Sequence, residues 1–228
     1  ERARRTLTGE QRTTFFRLLE MQRCALLMYT SCGWFFDDIS GGESIILMKY
    51  AARALAIGRA TGIDVEPAAI EVLRGAVSNI PGRKGEVVNG ADIFVQRARI
   101  ASVTPDNVTV SHALQTLAEG RRRGSRLYCY DVKLHEELAF KKGRVPCVFG
   151  RVTITDTRTN EAADTVYALA HFGGLDFRCC TAQFAGDADL QARLERVRAA
   201  AVEGSTPAMV RGRLDRVLRG IGSPRTFT

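Results

Sequence analysis

The sequence predicts an α+β protein in which a helical bundle is followed by a small antiparallel sheet and C-terminal helices. Apolar residues recur with helical spacing from about residue 8 to 119, and from about 126 to 184 they alternate with a period of two. Short turn-forming segments separate the alternating runs, which favours antiparallel neighbours because parallel strands need long crossovers. We therefore divide the chain into a helical region, 1–122, and a region of four strands and two helices, 123–228.

The helical region begins with a start signal. Thr8 and Gln11 have the spacing of a capping box, in which each side chain bonds the other's backbone N–H. The helix that follows is apolar on almost every side between Cys24 and Tyr29, so we expect this end to be buried. Further helical patterns are expected at about 43–60, 67–80 and 91–101, and after the cap-and-proline start Thr104-Pro105.

The second region shows four alternating runs and then two helical ones. Turn residues separate the runs, as in Lys142-Gly143-Arg144 and Gly173-Gly174. The helices are expected at about 188–203 and 207–219. The strands are expected at Leu127–Leu134, Val148–Thr155, Asp164–Phe172 and Phe177–Phe184.

Composition limits the classes of protein that this chain can belong to. A hydrophobic content of 45% and a charged content of 25% are ordinary for a globular protein. The six cysteines have no metal-binding spacing and the three histidines are dispersed, so we expect no metal and no other cofactor. Reduced, mostly buried thiols fit a cytoplasmic protein. No apolar run approaches the ~20 residues of a membrane span, and we expect no membrane partner.

The net charge of +8 raises the question of nucleic-acid binding. Most basic residues are arginines interspersed with acids, and the densest run is Arg121–Arg123, bounded by glycines. No basic stripe with interleaved aromatic residues accompanies it. We interpret this run as a solvated loop and do not expect a nucleic-acid partner.

The segment Thr30–Gly42 is the first candidate site. It joins two apolar helices and holds the only tryptophan, Trp34, then two phenylalanines and the carboxylates Asp37 and Asp38. The functional interpretation is a stacking platform whose indole N–H also donates a hydrogen bond, of the kind that holds a sugar. The structural alternative is a core tryptophan, with Asp38 or a neighbour capping the next helix and Glu43 favoured in its first turn. Both interpretations stay open.

A second candidate site lies on a tight turn between two strands. His171 and Asp176 stand five residues apart across two glycines. Such a pair can orient an imidazole for proton transfer, or bond for purely structural reasons. The sequence contains no Ser-His-Asp motif, phosphate loop or zinc signature.

Four stretches of the sequence carry a resemblance to a known family: Leu26–Gly41, Lys49–Ala54, Leu127–Tyr130 and His171–Cys179. They resemble the C-terminal domain of unknown function 3536 that is attached to glycoside hydrolase family 57 barrels. In the wider family, a Ser-Ser-Asp-Trp stretch beside the barrel contributes to the substrate cleft. Ser31, Cys32 and Trp34 match that stretch in position, and Gly33 replaces its aspartate.

The resemblance implies a role in α-glucan or related α-glycoside chemistry. Retaining glycosidases use two carboxylates about 5 Å apart, and in this family both come from the barrel. Because the chain starts at Glu1 without such a barrel, we expect it to be the C-terminal part of a longer protein and inactive alone. We assign no catalytic residue. The expected partners are the barrel and a carbohydrate, and the alternative is a non-catalytic carbohydrate-binding or scaffold domain. The predicted substrate-binding residues are Trp34, Asp37, Asp38, Glu43, His171 and Asp176.

Overall fold

The computed structural model describes residues 6–33, 35, 38–82, 85–99, 103–120, 124–142, 145–202 and 223–227. The chain separates into two compact units, Glu1–Ser102 and Val103–Thr228. The first unit is helical and the second is built around an antiparallel sheet. The predicted α+β class is therefore confirmed.

The helices of the first unit enclose a small apolar core. The capping box of Thr8 and Gln11 is present, with Gln11 N–H donating to Thr8 Oγ1 at 3.3 Å. The core consists of Met48, Ala52 and three residues of the last helical segment, which changes to a π-helix. In chain order the elements are α1 Gly9–Leu27, a 3-10 turn Ser31–Gly33, α2 Gly42–Ala60, α3 Glu66–Arg74, α4 Gly90–Ile93 and the π-helix Phe94–Arg99.

Two expectations for this unit are wrong. The third helix ends at Arg74 rather than near residue 80, and the exposed Val77 pairs with Asn89 in an isolated antiparallel bridge. The last turn of α1 is buried only in part: Cys24 is buried as expected, but Leu26 is 64% exposed and Tyr29, just beyond the helix, is 66% exposed. In both places apolar residues continue at helical spacing where no described neighbour covers them.

The second unit is a six-stranded antiparallel sheet with a helix on each face. The helix α5, Pro105–Glu119, precedes the sheet and starts at the predicted cap Thr104, whose Oγ1 accepts from Asn107 N–H. The helix α6, Asp187–Val202, follows the fifth strand. The strands lie in sequence order and are β1 Gly124–Leu127, β2 Tyr130–Lys142, β3 Val145–Asp156, β4 Ala162–His171, β5 Phe177–Gln183 and β6 Ser223–Phe227.

The number of strands and the place of α5 differ from the sequence prediction. The first predicted strand is two strands, because the chain reverses at Tyr128-Cys129 without any glycine, asparagine or proline to signal the turn. The strand β6 was not predicted, and the helix predicted at 207–219 lies outside the described residues. We placed α5 with the helical region, but its apolar residues Val108 and Ala113 pack in the core of the sheet.

Both faces of the sheet are covered. Val108, Val110 and Ala113 of α5 pack against one face, and Leu190 and Leu194 of α6 pack against the other. The chain therefore buries apolar side chains on both sides of β3, β4 and β5, which explains why their residues are buried in runs rather than in alternation.

The burial of the cysteines on the strands follows from the covering of both faces of the sheet. None of the six is in a disulfide in the structure, and the buried ones are Cys24, Cys147, Cys179 and Cys180, so the expectation that most of them are buried is confirmed. Cys179 and Cys180 face opposite sides of the sheet as expected. The expectation that one of them is exposed is wrong, because a helix covers each side. Of the helices that the structure describes, none combines the length and apolar composition needed to cross a bilayer.

The turn between β1 and β2 holds a strained residue. Tyr128 has a φ of 57°, a left-handed conformation in which a bulky side chain costs ~1–3 kcal/mol, and its ring is exposed. Substituting Tyr128→Gly is expected to raise the free energy of unfolding by about 1 kcal/mol in urea denaturation. Asn160→Gly is the matched control, since asparagine tolerates its φ of 58° and the gain there is expected to be smaller. Equal gains at both positions would contradict the prediction.

Candidate functional site

The hinge between α1 and α2 is described only in part. Trp34 and Asp37 lie outside the described residues, as does Phe36. Around them, Ser31–Gly33 forms the 3-10 turn and Phe35 is 82% exposed. The structure therefore places one aromatic ring of the hinge in solvent.

Asp38 ties the hinge to a loop forty residues away. Its Oδ1 accepts from Ser40 N–H at 2.7 Å, from Ser40 Oγ at 2.5 Å and from Ser78 Oγ at 2.9 Å. Its Oδ2 accepts from Asn79 N–H at 2.6 Å and from Ser78 Oγ at 3.1 Å. These donors, the Ser40 hydroxyl first, lower the pKa of Asp38 to about 2. The carboxylate is thus bonded within the chain and acts as a clamp.

The clamp replaces the cap that we considered for Asp38. The N-cap of α2 is Gly41, which has no side chain that could accept from the first amides of the helix. The backbone oxygen of Asp38 accepts from Gly41 N–H at 3.2 Å. Arg97 of the π-helix adds a longer bond from its Nη1 to the oxygen of Ser40, at 3.4 Å. Glu43 lies in the first turn of α2, as expected, and is half-buried.

The face of α1 that packs on α2 is unusually polar. Glu20 is buried and receives two bonds from Arg23, 2.6 Å from Nε and 2.8 Å from Nη2. Cys24 beside it is buried too, with its Sγ 3.7 Å from Glu20 Oε1. The hydrogen bonds that Arg23 donates to the Glu20 carboxylate raise the pKa of Arg23, and Tyr50 of α2 contributes to the same rise.

The outer face of α1 is apolar instead. Its large side chains recur at i, i+3, i+4 and i+11, a spacing that gathers them on one side of a helix. A helix of a globular protein normally shows the reverse arrangement, with apolar residues inward and charged residues outward. We name this outer face together with Tyr29, which follows just beyond the helix, the α1 stripe; its exposed members on the helix are Phe15, Leu18, Leu19 and Leu26.

His171 and Asp176 do not form the predicted pair. His171 Nε2 lies 3.0 Å from the backbone oxygen of Gly174, and its ring stacks on Phe177 with centroids 4.3 Å apart. Asp176 Oδ1 lies 2.9 Å from Nη1 of Arg178. The turn therefore holds each side chain through a separate local contact, and the imidazole is oriented by a carbonyl rather than by a carboxylate.

A buried polar cluster in the second unit was missed by the sequence analysis. Tyr167 is fully buried, and its hydroxyl donates to Glu137 Oε2 at 2.7 Å. The His112 ring meets the Tyr167 ring edge to face, 6.0 Å between centroids, and His112 Nε2 has no hydrogen-bond partner among the residues that the structure describes. Burial lowers the pKa of His112, and Glu137 opposes that shift. The residues come from α5, β2 and β4, so no spacing in the sequence indicates them.

A polar groove of about 550 Å³ lies where the N-terminal end of α5 meets the ends of β4 and β5. Its wall has two carboxylates, two threonines and a glutamine, and the Thr181 hydroxyl donates to Asp106 Oδ1 at 3.0 Å. Within the part of the chain that the structure describes, no three His, Cys, Asp or Glu side chains gather as metal ligands. The polar residues of the groove are Asp106, Asp164, Thr165, Thr181 and Gln183.

These observations define an α+β protein with a clamped interhelical hinge, an outward apolar helix face and polar clusters bonded within the chain. The chain belongs to the family described as Domain of unknown function (DUF3536), which its sequence matches over residues 1–219. No curated protein and no solved structure matches the sequence. Family membership thus establishes the kind of domain, and the function is argued from the residues.

Proposed function

We propose that the first unit is a docking module that packs against the catalytic barrel of a family 57-like glycoside hydrolase. In this proposal the hinge contributes to a cleft for an α-glucan or a related α-glycoside. The observation that carries it is the α1 stripe. The proposal also draws on the sequence resemblance described above, in particular the match at Ser31, Cys32 and Trp34.

The α1 stripe supports docking because one helix face exposes large apolar side chains in two groups, at Phe15–Leu19 and at Leu26, with the exposed Gln22 between them. Soluble proteins rarely leave large apolar patches in water unless they bind a partner. The inner face of the same helix buries Glu20. In its present packing α1 therefore has a charged side chain inside and large apolar side chains outside. A second domain on the stripe would place apolar residues on the inside of the assembled protein.

The position of the hinge relates docking to a sugar cleft. The stripe ends at Tyr29, and the hinge begins at the next residue. A domain that covers the end of α1 would therefore meet the hinge, where Phe35 is exposed and Asp38 holds the backbone in place. Catalysis belongs to the carboxylates of the barrel in this proposal, and the protein works in the cytoplasm.

The test measures association with a purified family 57 barrel domain. Sedimentation velocity is expected to show a complex with the wild-type chain. Substituting Leu19→Glu together with Leu26→Glu places two charges on the stripe and is expected to weaken the complex at least ~100-fold, because charges in the dry centre of an interface are costly. Val72→Glu is the matched control, an exposed apolar residue of α3 outside the stripe, and it is expected to leave association unchanged.

A non-catalytic carbohydrate-binding module is the second candidate function, and the polar groove at α5 favours it. Carboxylates, hydroxyls and an amide are groups that bond sugar hydroxyls. Calorimetric titration of the same samples with maltooligosaccharides separates the two candidates. Binding that requires the barrel supports the shared cleft, whereas binding by the chain alone, with no complex in sedimentation, contradicts docking and supports the module.

A further inference from the structure

The strand β2 extends well past its outer neighbour, β1. The two strands pair only over Gly124–Leu127 and Tyr130–Lys133, whereas β2 continues along β3 as far as Lys142. Within the part of the chain that the structure describes, no strand pairs with the outer edge of β2 beyond Glu136. Backbone N–H and C=O groups along such an edge are a template for another strand. We name residues 136–142 the open edge of β2.

The sequence of the open edge is complementary in charge to itself. It reads Glu-Glu-Leu-Ala-Phe-Lys-Lys, so Ala139 stands at the centre with an apolar residue on each side, two acids before them and two lysines after them. Charges on an edge strand ordinarily keep other strands away. Two copies that run antiparallel, however, bring the acids of one opposite the lysines of the other. Two parallel copies in the same register would place acid beside acid, which is destabilising.

Hydrogen-bond geometry restricts the registers that are open to two copies. Alternate residues of a strand direct their N–H and C=O groups to the same edge, so residues that face each other in a pair of identical strands must differ by an even number. The register centred on Ala139 places Glu137 opposite Lys141 of the second copy. It also places Leu138 opposite Phe140 of the second copy. Moving the centre by one residue in either direction separates every acid of the open edge from the lysines.

The two faces of the open edge agree with this register. Glu137 lies on the α5 side of the sheet, where the Tyr167 hydroxyl donates to its Oε2, and strand alternation places the exposed Lys141 on the same side. Leu138 and Phe140 lie on the α6 side, partly buried against the core there. Opposite residues of an antiparallel pair share a face. Acid and lysine therefore meet on one side of the sheet, and leucine and phenylalanine on the other.

We propose that a second copy of this chain pairs with the open edge, antiparallel and centred on Ala139, so that the two sheets become one. The contact is isologous, because the same segment serves on both chains, and each pair of opposite residues occurs twice. Pairing also closes the open edge of both copies, which limits this contact to a dimer. This inference concerns the second unit and does not depend on the proposed docking function.

The test measures self-association of the full chain by sedimentation velocity over a series of concentrations. The wild-type chain is expected to show a reversible equilibrium between monomer and dimer. Lys141→Glu places acid opposite acid twice in the contact and is expected to raise the dimer dissociation constant at least ~10-fold. High salt should narrow this difference, because the charges are near solvent. Lys49→Glu is the matched control, the same charge change at an exposed position of α2, and it is expected to dimerise as the wild type does.

Hydrogen exchange on the wild-type chain locates the contact and needs no variant. Alternate amides of the open edge gain acceptors on the second copy, so their exchange is expected to slow at least ~10-fold between dilute and concentrated samples. The amides of β1 are the internal reference, since β1 pairs within its own chain. A chain that stays monomeric at the concentrations used for NMR would overturn the proposal. So would a dimer that Lys141→Glu leaves unchanged, or exchange in the open edge that does not depend on concentration.

Discussion

Substituting Tyr167→Ala is expected to lower the free energy of unfolding by about 3–5 kcal/mol, the range for deleting a buried aromatic ring. The ring is fully buried between the sheet and α5 and touches His112. Its removal leaves a cavity that β4, central in the sheet between β3 and β5, cannot close. Urea unfolding followed by circular dichroism measures the change.

Two further variants separate the ring from its hydroxyl. Tyr167→Phe keeps the ring and loses the hydroxyl with its bond to Glu137, so a smaller loss of about 1.5–3 kcal/mol is expected. Tyr128→Ala is the control for losing a tyrosine of the same unit, because that ring is 74% exposed and its loss is expected to change stability little. If the Phe and Ala variants at 167 were equally unstable, the packing of the ring would not be the main contribution.

Substituting Asp38→Ala is expected to release the hinge. The backbone amides of Ser40 and Asn79 donate to this carboxylate, and without an acceptor they should exchange with solvent roughly ten times faster. Because both amides report on the clamp directly, hydrogen exchange measured by NMR is the appropriate method. Asp92→Asn, at an exposed position on α4, is the matched control and should leave both exchange rates unchanged.

The same clamp predicts a pH dependence with a definite sign. The pKa of Asp38 is about 2 in the folded protein, below its ordinary value of 3.8. The unfolded chain therefore binds the proton more readily, and the stabilisation is complete above the ordinary value and is lost as the pH falls toward 2. Protection of the two amides should decline over this interval in the wild type and stay low throughout in the Asp38→Ala variant. Unchanged wild-type protection at pH 2 would contradict the role of the clamp.

The local signals in the sequence were reliable where a structure depends on neighbours within one turn. The capping box at Thr8 and the start of α5 at Thr104 could be predicted because side chain and backbone amide are three residues apart. The reversal at Tyr128 could not, because a tyrosine in the left-handed region is held there by the pairing of β1 with β2. Long-range pairing overrode the local preference.

For the candidate site too, the sequence indicated local features and missed the contacts between residues distant in the chain. The sequence identified the hinge from its composition, yet the partner of Asp38 is Ser78, forty residues further along the chain. It also indicated that His171 and Asp176 share a turn. It did not indicate that His171 contacts the backbone oxygen of Gly174 and Asp176 contacts Arg178. The link between Tyr167 and Glu137 runs from β4 across β3 to β2, and no periodicity reports such a contact.

The sequence by itself determined the α+β class, most helix and strand positions and the DUF3536 membership, since periodicity, caps and motifs are local properties. Only the tertiary structure decided that α5 belongs to the sheet, that α1 buries Glu20 and exposes its leucines, and that Asp38 is a clamp. The physical reason is that an amphipathic pattern states which residues avoid water but not what covers them. That choice depends on packing between segments distant in the chain.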